Sequence, residues 1–203
     1  MFGYPDNICD RCRGLEKQCE LRVKPHYRKG GGVKLMLIGQ DPTVFVNNES
    51  VKSVLMLDDN NSQIARWLES MFGDKFKQMT VYATNVVKCS FEQPPSTMKG
   101  GGYRFLQPYF ANCQVHLRNE VVEFGPEVVI TLGETAHRLF RTMLNDSSIV
   151  QDRMKDAFSG SFQRVSIGNT TFDYSPCLHI KTYRVAETYG DSVKAFKDRL
   201  GNL

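Results

Sequence analysis

Two stretches of the chain bring chemistry-bearing residue types together at short spacing. Gly39-Gln40-Asp41-Pro42 sets a carboxylate beside backbone N–H groups on a tight turn. Glycine permits close backbone approach there and proline stiffens the exit. Taken alone, such a stretch is more often an ordinary strand-to-loop turn with a solvated Asp. Cys9-Asp10-Arg11-Cys12 places two thiols at a spacing that lets both reach one metal ion or one corner of a cluster. Cys89 and Cys113 lie far along the chain. Together the four could staple the N-terminal segment to the rest through tetrahedral zinc or a [4Fe–4S] cluster, since both accept four cysteines. A redox pair and four unrelated cysteines, two of them buried as small hydrophobes, stay open as alternatives. The redox reading fits less well, because the pair neither follows a strand nor opens a helix. Cys19 and Cys177 are left over, with packing as the default for both.

These residues sit in a chain of 203 with 41% hydrophobic and 24% charged residues, which excludes a disordered or low-complexity protein. The length suits one domain over 1–203, with residues 1–32 as a Cys-containing cap that something other than a hydrophobic core must hold down. No apolar run approaches the roughly 18 residues of a membrane span. The start, Met1 to Asn7, lacks the basic and apolar pattern of a secretory signal, so an intracellular, cytoplasmic protein is expected. In that compartment six cysteines are not expected to be disulfides. A net charge of +4 permits binding to a polyanion without implying it.

The elements that must position these groups alternate in type. Lys34 to Ile38 reads as a short buried strand closed by Gly39 and Pro42. Ile64, Trp67, Leu68, Met71 and Phe72 form one helical face, with Asn61 or Ser62 as N-cap and Gly73 as stop. Val81 to Val87 is a second strand, β-branched and aromatic. A Pro/Gly loop follows, and then a helical face of Phe110, Cys113, Leu117, Val121 and Phe124, broken by Gly125-Pro126. Val128 to Ile130 is a third strand, Leu132 to Leu144 another helical face, and 145–170 polar and irregular. Thr171 to Leu178 is a fourth strand and Ser192 to Leu200 a closing helix. This order predicts an α/β fold: a three-layer α/β/α sandwich on a mainly parallel, four-stranded central sheet. Ligands of such folds sit beyond the carboxyl ends of the strands, here near Asp41, Asn85, Gly133 and Cys177 to His179.

At this point the chain resembles the uracil-DNA glycosylase superfamily, and its iron–sulfur branch (family 4) in particular. Gly39-Gln40-Asp41-Pro42 is similar to the family's first active-site motif, in the form with a catalytic Asp. Thr84-Asn85-Val86-Val87-Lys88-Cys89 is close to the segment holding the uracil-reading Asn and a cluster Cys. Cys9, Cys12 and Cys113 fall where the other cluster ligands would lie, and Pro126 to Ala136 looks like the third strand and following helix. The resemblance implies hydrolysis of the N-glycosidic bond of deoxyuridine in DNA. It assigns Asp41 and His179 to catalysis, and Gly39, Gln40 and Asn85 to substrate binding. Cys9, Cys12, Cys89 and Cys113 would hold a structural [4Fe–4S] cluster, with zinc as the alternative. The partner implied is uracil-containing DNA and the setting base-excision repair, in a monomeric, prokaryote-like protein. The alternatives are a nucleic-acid-binding module of the same fold, or a glycosylase for another lesion.

The chain departs from the family pattern in its last motif, its stacking residue and one loop. The last motif, usually His-Pro-Ser, is here Tyr174 to Arg184; aligning on histidine selects His179 as leaving-group stabiliser, aligning on proline selects Ser175. Lys181 and Arg184 could contact phosphates. Thr43 stands where one branch of the superfamily carries a Tyr that excludes thymine, and family 4 itself tends to have a small residue there. The stacking Phe is missing: an ungapped match puts Leu57 there, and Phe45 is the other candidate. The loop between Cys89 and Cys113 is long, and its Lys99-Gly100-Gly101-Gly102-Tyr103-Arg104 is a candidate DNA contact.

Overall fold

A computed structural model describes residues 2–5, 9–15, 17, 19–21, 23–42, 44, 51–57, 59, 62–179 and 189–202. Thr43, Phe45, Lys181 and Arg184 lie outside the described residues.

The strands are β1 (Cys19–Glu20), β2 (His26–Arg28), β3 (Lys34–Gly39), β4 (Thr80–Asn85), β5 (Ser90–Phe91), β6 (Val128–Leu132), β7 (Gln163–Ile167) and β8 (Thr170–Cys177). The helices are α1 (Gln63–Phe72), α2 (Lys75–Gln78), α3 (Gly101–Phe124), α4 (Glu134–Arg141), α5 (Met154–Ala157) and α6 (Gly190–Gly201). The central sheet runs β2-β4-β3-β6-β8-β7. Its inner four strands are parallel, and β2 and β7 pair antiparallel at the two edges. The expected four-stranded sheet is therefore corrected to six strands. The four parallel strands are those read from the sequence; the two edge strands are short and half polar, which hides their alternation.

Along β3 and β4, side chains divide between the two faces with the period of two that strands impose. Met36, Ile38 and Tyr82 pack under α3 and α4, whereas Leu35, Leu37, Val81 and Ala83 pack under α1 and α6. Ser62 caps α1, its hydroxyl accepting from the Ala65 N–H, and Gly73 ends the helix at a φ of 62°. Helix α3 begins at Gly101, well before the apolar face that starts at Phe110, and runs through Pro108. Burial of Phe105, Leu106 and Tyr109 overrides the poor helix propensity of that stretch. The 145–170 region likewise contains α5 and β7 rather than only irregular chain.

The cap also differs from expectation. It supplies β1 and β2, and apolar packing does hold it. Phe2 makes edge-to-face contacts with Tyr27, Tyr82 and Phe124, and the buried Tyr4 hydroxyl donates to the Val23 carbonyl at 2.8 Å.

Candidate active site

The parallel register of β3 and β4 sets Gly39 directly opposite Asn85. Two backbone bonds extend this pairing beyond the strands: the Val86 N–H donates to the Gly39 carbonyl (2.9 Å) and the Val87 N–H to that of Gln40 (3.0 Å). The segments around Asp41 and Asn85, 44 positions apart in the chain, are thereby locked side by side at the carboxyl edge of the sheet. Gly39 is needed for a local reason as well. A Cβ there would stand 2.3 Å from Asn85 Oδ1, so only glycine leaves room for this amide.

Asp41 and Asn85 line one end of a cavity of about 450 Å³, a size typical of small-molecule sites. Its other wall is aliphatic, from Val54, Leu55, Met56 and Ile64, with the Asp59 carboxylate also on the lining. Burial pushes the Asp41 carboxyl up from the usual 3.8 to about 7, against an opposing hydrogen bond that Gln40 Nε2 donates to Asp41 Oδ1 at 2.6 Å. The ring of contacts widens at Gln40, whose amide also lies near Gly102 at the start of α3 and Thr135 on α4. The glycine-rich loop expected to meet DNA therefore borders the site. Beside it, the Arg138 guanidinium stacks on the Tyr103 ring at 3.8 Å.

The structure brings together Gly39, Gln40, Asp41 and Asn85, but it does not place His179 on the described cavity lining. His179 is exposed just past β8, its Cβ 3.4 Å from the Cβ position of Gly133, and two strands separate β8 from β4. Ser175 lies inside β8 opposite Ile130, fully buried, with its hydroxyl donating to the Pro176 carbonyl. His137 is structural: fully buried, it contacts the Tyr174 hydroxyl and the Gln151 carbonyl, both at 2.7 Å.

Leu57 does not line the cavity; the wall next to Gly39 is Leu55, whose Cδ2 is 3.6 Å from the Gly39 Cβ position. Leu55 and Met56 both hold left-handed backbone, at φ 62° and 49°. For such side chains that conformation costs about 1–2 kcal/mol per residue, and strain of this kind clusters at ligand sites. No glycine or asparagine in the sequence marks the spot.

The thiols also gather differently from the expectation. Cys12 lies beside Cys19, and Cys19 in turn beside Cys89. The pairing of β1 with β5, Cys19 opposite Phe91, is what brings Cys19 there. Cys113 is buried on α3, where burial raises its thiol to about 11 against a hydrogen bond from the Lys88 backbone. Cys9 Sγ instead lies 3.8 Å from His116 Nε2. Among the described residues, no three His, Cys, Asp or Glu side chains are arranged to close on a single ion. The chemistry of the donor set nonetheless suits a thiolate-ligated group. The fully buried Ser90 hydroxyl, next in sequence to Cys89, has no partner among the described residues. Sequence spacing missed Cys19 because its proximity depends on a strand pair two residues long.

No helix among the described residues is long and apolar enough to cross a membrane. A search of curated proteins gives no match. The family model described as the Uracil DNA glycosylase superfamily matches residues 25–192, a span that includes the Asp41 turn, Asn85 and His179. A carboxylate and a carboxamide sharing one cavity at the carboxyl edge of a largely parallel sheet agree with that match, and the chain belongs to the uracil DNA glycosylase superfamily.

Proposed function

We propose that the protein is a uracil-DNA glycosylase of the iron–sulfur branch, releasing uracil from DNA and leaving an abasic site. The observation that carries this reading is the shared cavity of Asp41 and Asn85, fixed by the Gly39–Asn85 register.

A base in duplex DNA must leave the stack to reach such a cavity, at a cost of a few kcal/mol. The Asn85 amide offers one acceptor and one donor, which match uracil N3–H and O4; cytosine presents the opposite pattern. The aliphatic wall of Leu55 and Met56 covers a face of the base. The C1′–N1 bond then breaks with its electron pair leaving on uracil. Ionised Asp41 stabilises the positive sugar and orients a water, whose oxygen bonds to C1′ and whose proton passes to the carboxylate. The departing uracil anion takes up a proton, and His179 is the candidate donor that steadies its O2 side. An Asp41 carboxyl near 7 is about half ionised at neutral pH, so this step strengthens as pH rises through that value.

A [4Fe–4S] cluster, with zinc as the alternative, would supply structural linkage of the cap to the domain. Cys12, Cys89 and Cys113 are its proposed ligands, with the fourth place contested by Cys9, which has the expected spacing, and Cys19, which the fold sets beside Cys12 and Cys89.

A second reading, a glycosylase for a wider set of lesions, is favoured by the aliphatic wall, since no aromatic ring lines the described cavity. The test is cleavage of a labelled single-uracil oligonucleotide, followed by alkali, beside oligonucleotides carrying thymine or other damaged bases. Uracil-dependent cleavage that disappears in Asp41→Asn supports the first reading. Cleavage only of another lesion supports the second, and no cleavage of any substrate refutes both.

A further inference from the structure

Behind β4, on the face opposite the cavity, lies a buried ion pair that the proposed chemistry does not use. Lys88 is 2% exposed and Glu120 0%. An ammonium group has three N–H donors and no acceptor, and all three donors of Lys88 are placed. They go to Glu120 Oε2 (2.5 Å), Thr84 Oγ1 (2.8 Å) and the Asn85 carbonyl (2.7 Å). Glu120 accepts in addition from the Tyr82 hydroxyl (3.1 Å) and from Thr84 Oγ1. Burial raises the Glu120 carboxyl, and the Lys88 charge opposes that rise.

A buried charge of each sign is costly and adds little net stability over a well-packed apolar pair. Here one of the lysine's three bonds caps the carbonyl of the very residue whose amide faces the cavity. Tyr82 and Thr84 point toward α3 and Asn85 toward the cavity, so the network reaches the amide through the Asn85 backbone. We infer that Lys88 and Glu120 are positioning residues, which fix the backbone of Asn85 so that its side-chain amide is presented to the base in one orientation. This rests on the proposed base-reading role of Asn85. A guanidinium, planar and larger, cannot reproduce the three-way grip of the ammonium.

Single truncation would leave a buried charge unpaired and could unfold the chain, so the informative variant is the double replacement Lys88→Met with Glu120→Leu. It is expected to fold, with a Tm close to that of the wild type. Its kcat/KM on uracil DNA is expected to fall about 10- to 100-fold, a loss comparable to misplacing one bidentate contact. In an Asn85→Ala background the same double replacement should cost less than threefold, because the amide it positions is gone. Lys88→Arg, with Glu120 kept, should lose kcat/KM to a similar extent.

A folded double variant with wild-type kcat/KM, or a loss that simply adds to that of Asn85→Ala, overturns the inference. If the wild type proves inert on uracil DNA, the functional reading fails separately. The orientation claim is then read by NMR from the Asn85 side-chain amide signals: a single sharp pair in the wild type, shifted or broadened in the double variant. Identical signals in both overturn it.

Discussion

The two faces of the sheet at the end of β4 handle polar groups in opposite ways. Toward α3, the charges of Lys88 and Glu120 are sealed from water with their hydrogen-bonding partners in place. Toward α1, Asp41 and Asn85 face a cavity, a carboxyl is pushed up by burial, and two aliphatic residues sit on left-handed backbone. A closed network fixes geometry and offers nothing to a ligand. An open site keeps its polar groups for a ligand at a cost in stability, which the packed remainder of the domain offsets.

The sharpest break in that contrast is Asp41→Asn. Loss of the ionised carboxylate is expected to lower kcat/KM by about 10²–10⁴-fold, measured on a single-uracil oligonucleotide. Stability should move the other way. Asp41 holds its proton more tightly in the folded chain (about 7) than at the usual 3.8, so its ionisation opposes folding. Its contribution falls as pH rises between those values and stays low above 7. The variant should therefore melt higher than the wild type at pH 8, by the equivalent of at most about 4 kcal/mol, and match it below pH 4. A lower Tm at pH 8 would show that the open face is not strained by this carboxylate.

Gly39→Ala attacks the register itself. The new methyl would collide with Asn85 Oδ1, so the buried amide has to leave its present position. A roughly 10- to 100-fold loss of kcat/KM is expected, an amount comparable to losing one bidentate base contact, with Asp41 still titrating near 7. Unchanged activity would mean that Asn85 does not read the base from its present position.

The cysteines give an intermediate test, read by iron content and visible absorbance of anaerobically purified protein. Cys19→Ser is expected to lose the chromophore and loosen the cap, while Cys9→Ser retains it. The reverse result would restore the ligand set expected from spacing, and absence of metal from the wild type would remove the cluster altogether.

The smallest effect is expected for Leu55→Gly. Relief of the left-handed strain and loss of an apolar side chain nearly cancel, leaving a stability change under about 1 kcal/mol. KM should rise while kcat is largely kept, since the cavity loses a wall and no reacting group.

Much of this architecture is legible in the chain. Buried parallel strands read as continuous apolar runs, so β3, β4, β6 and β8 stand out, and the Ser62 cap and Gly73 stop mark α1 from local chemistry alone. The Asp41 turn and Asn85 are visible because each stands at or just past the carboxyl end of such a strand. A signal for Glu120 is also present: an acid on the apolar stripe of Cys113, Leu117, Val121 and Phe124 has to be buried and therefore paired.

What the tertiary structure alone decided are relations between distant segments. The edge strands β2 and β7, the meeting of Cys19 with Cys89, and the choice of Leu55 over Leu57 for the cavity wall depend on register and on backbone torsions that no local pattern encodes. Local patterns set the four parallel strands, the main helices and the residue types at their ends, because periodicity and capping act within a few residues. Only folding decided which of those ends touch, because strand order and register are set by long-range burial, where a one-residue slip would turn every side chain to the opposite face.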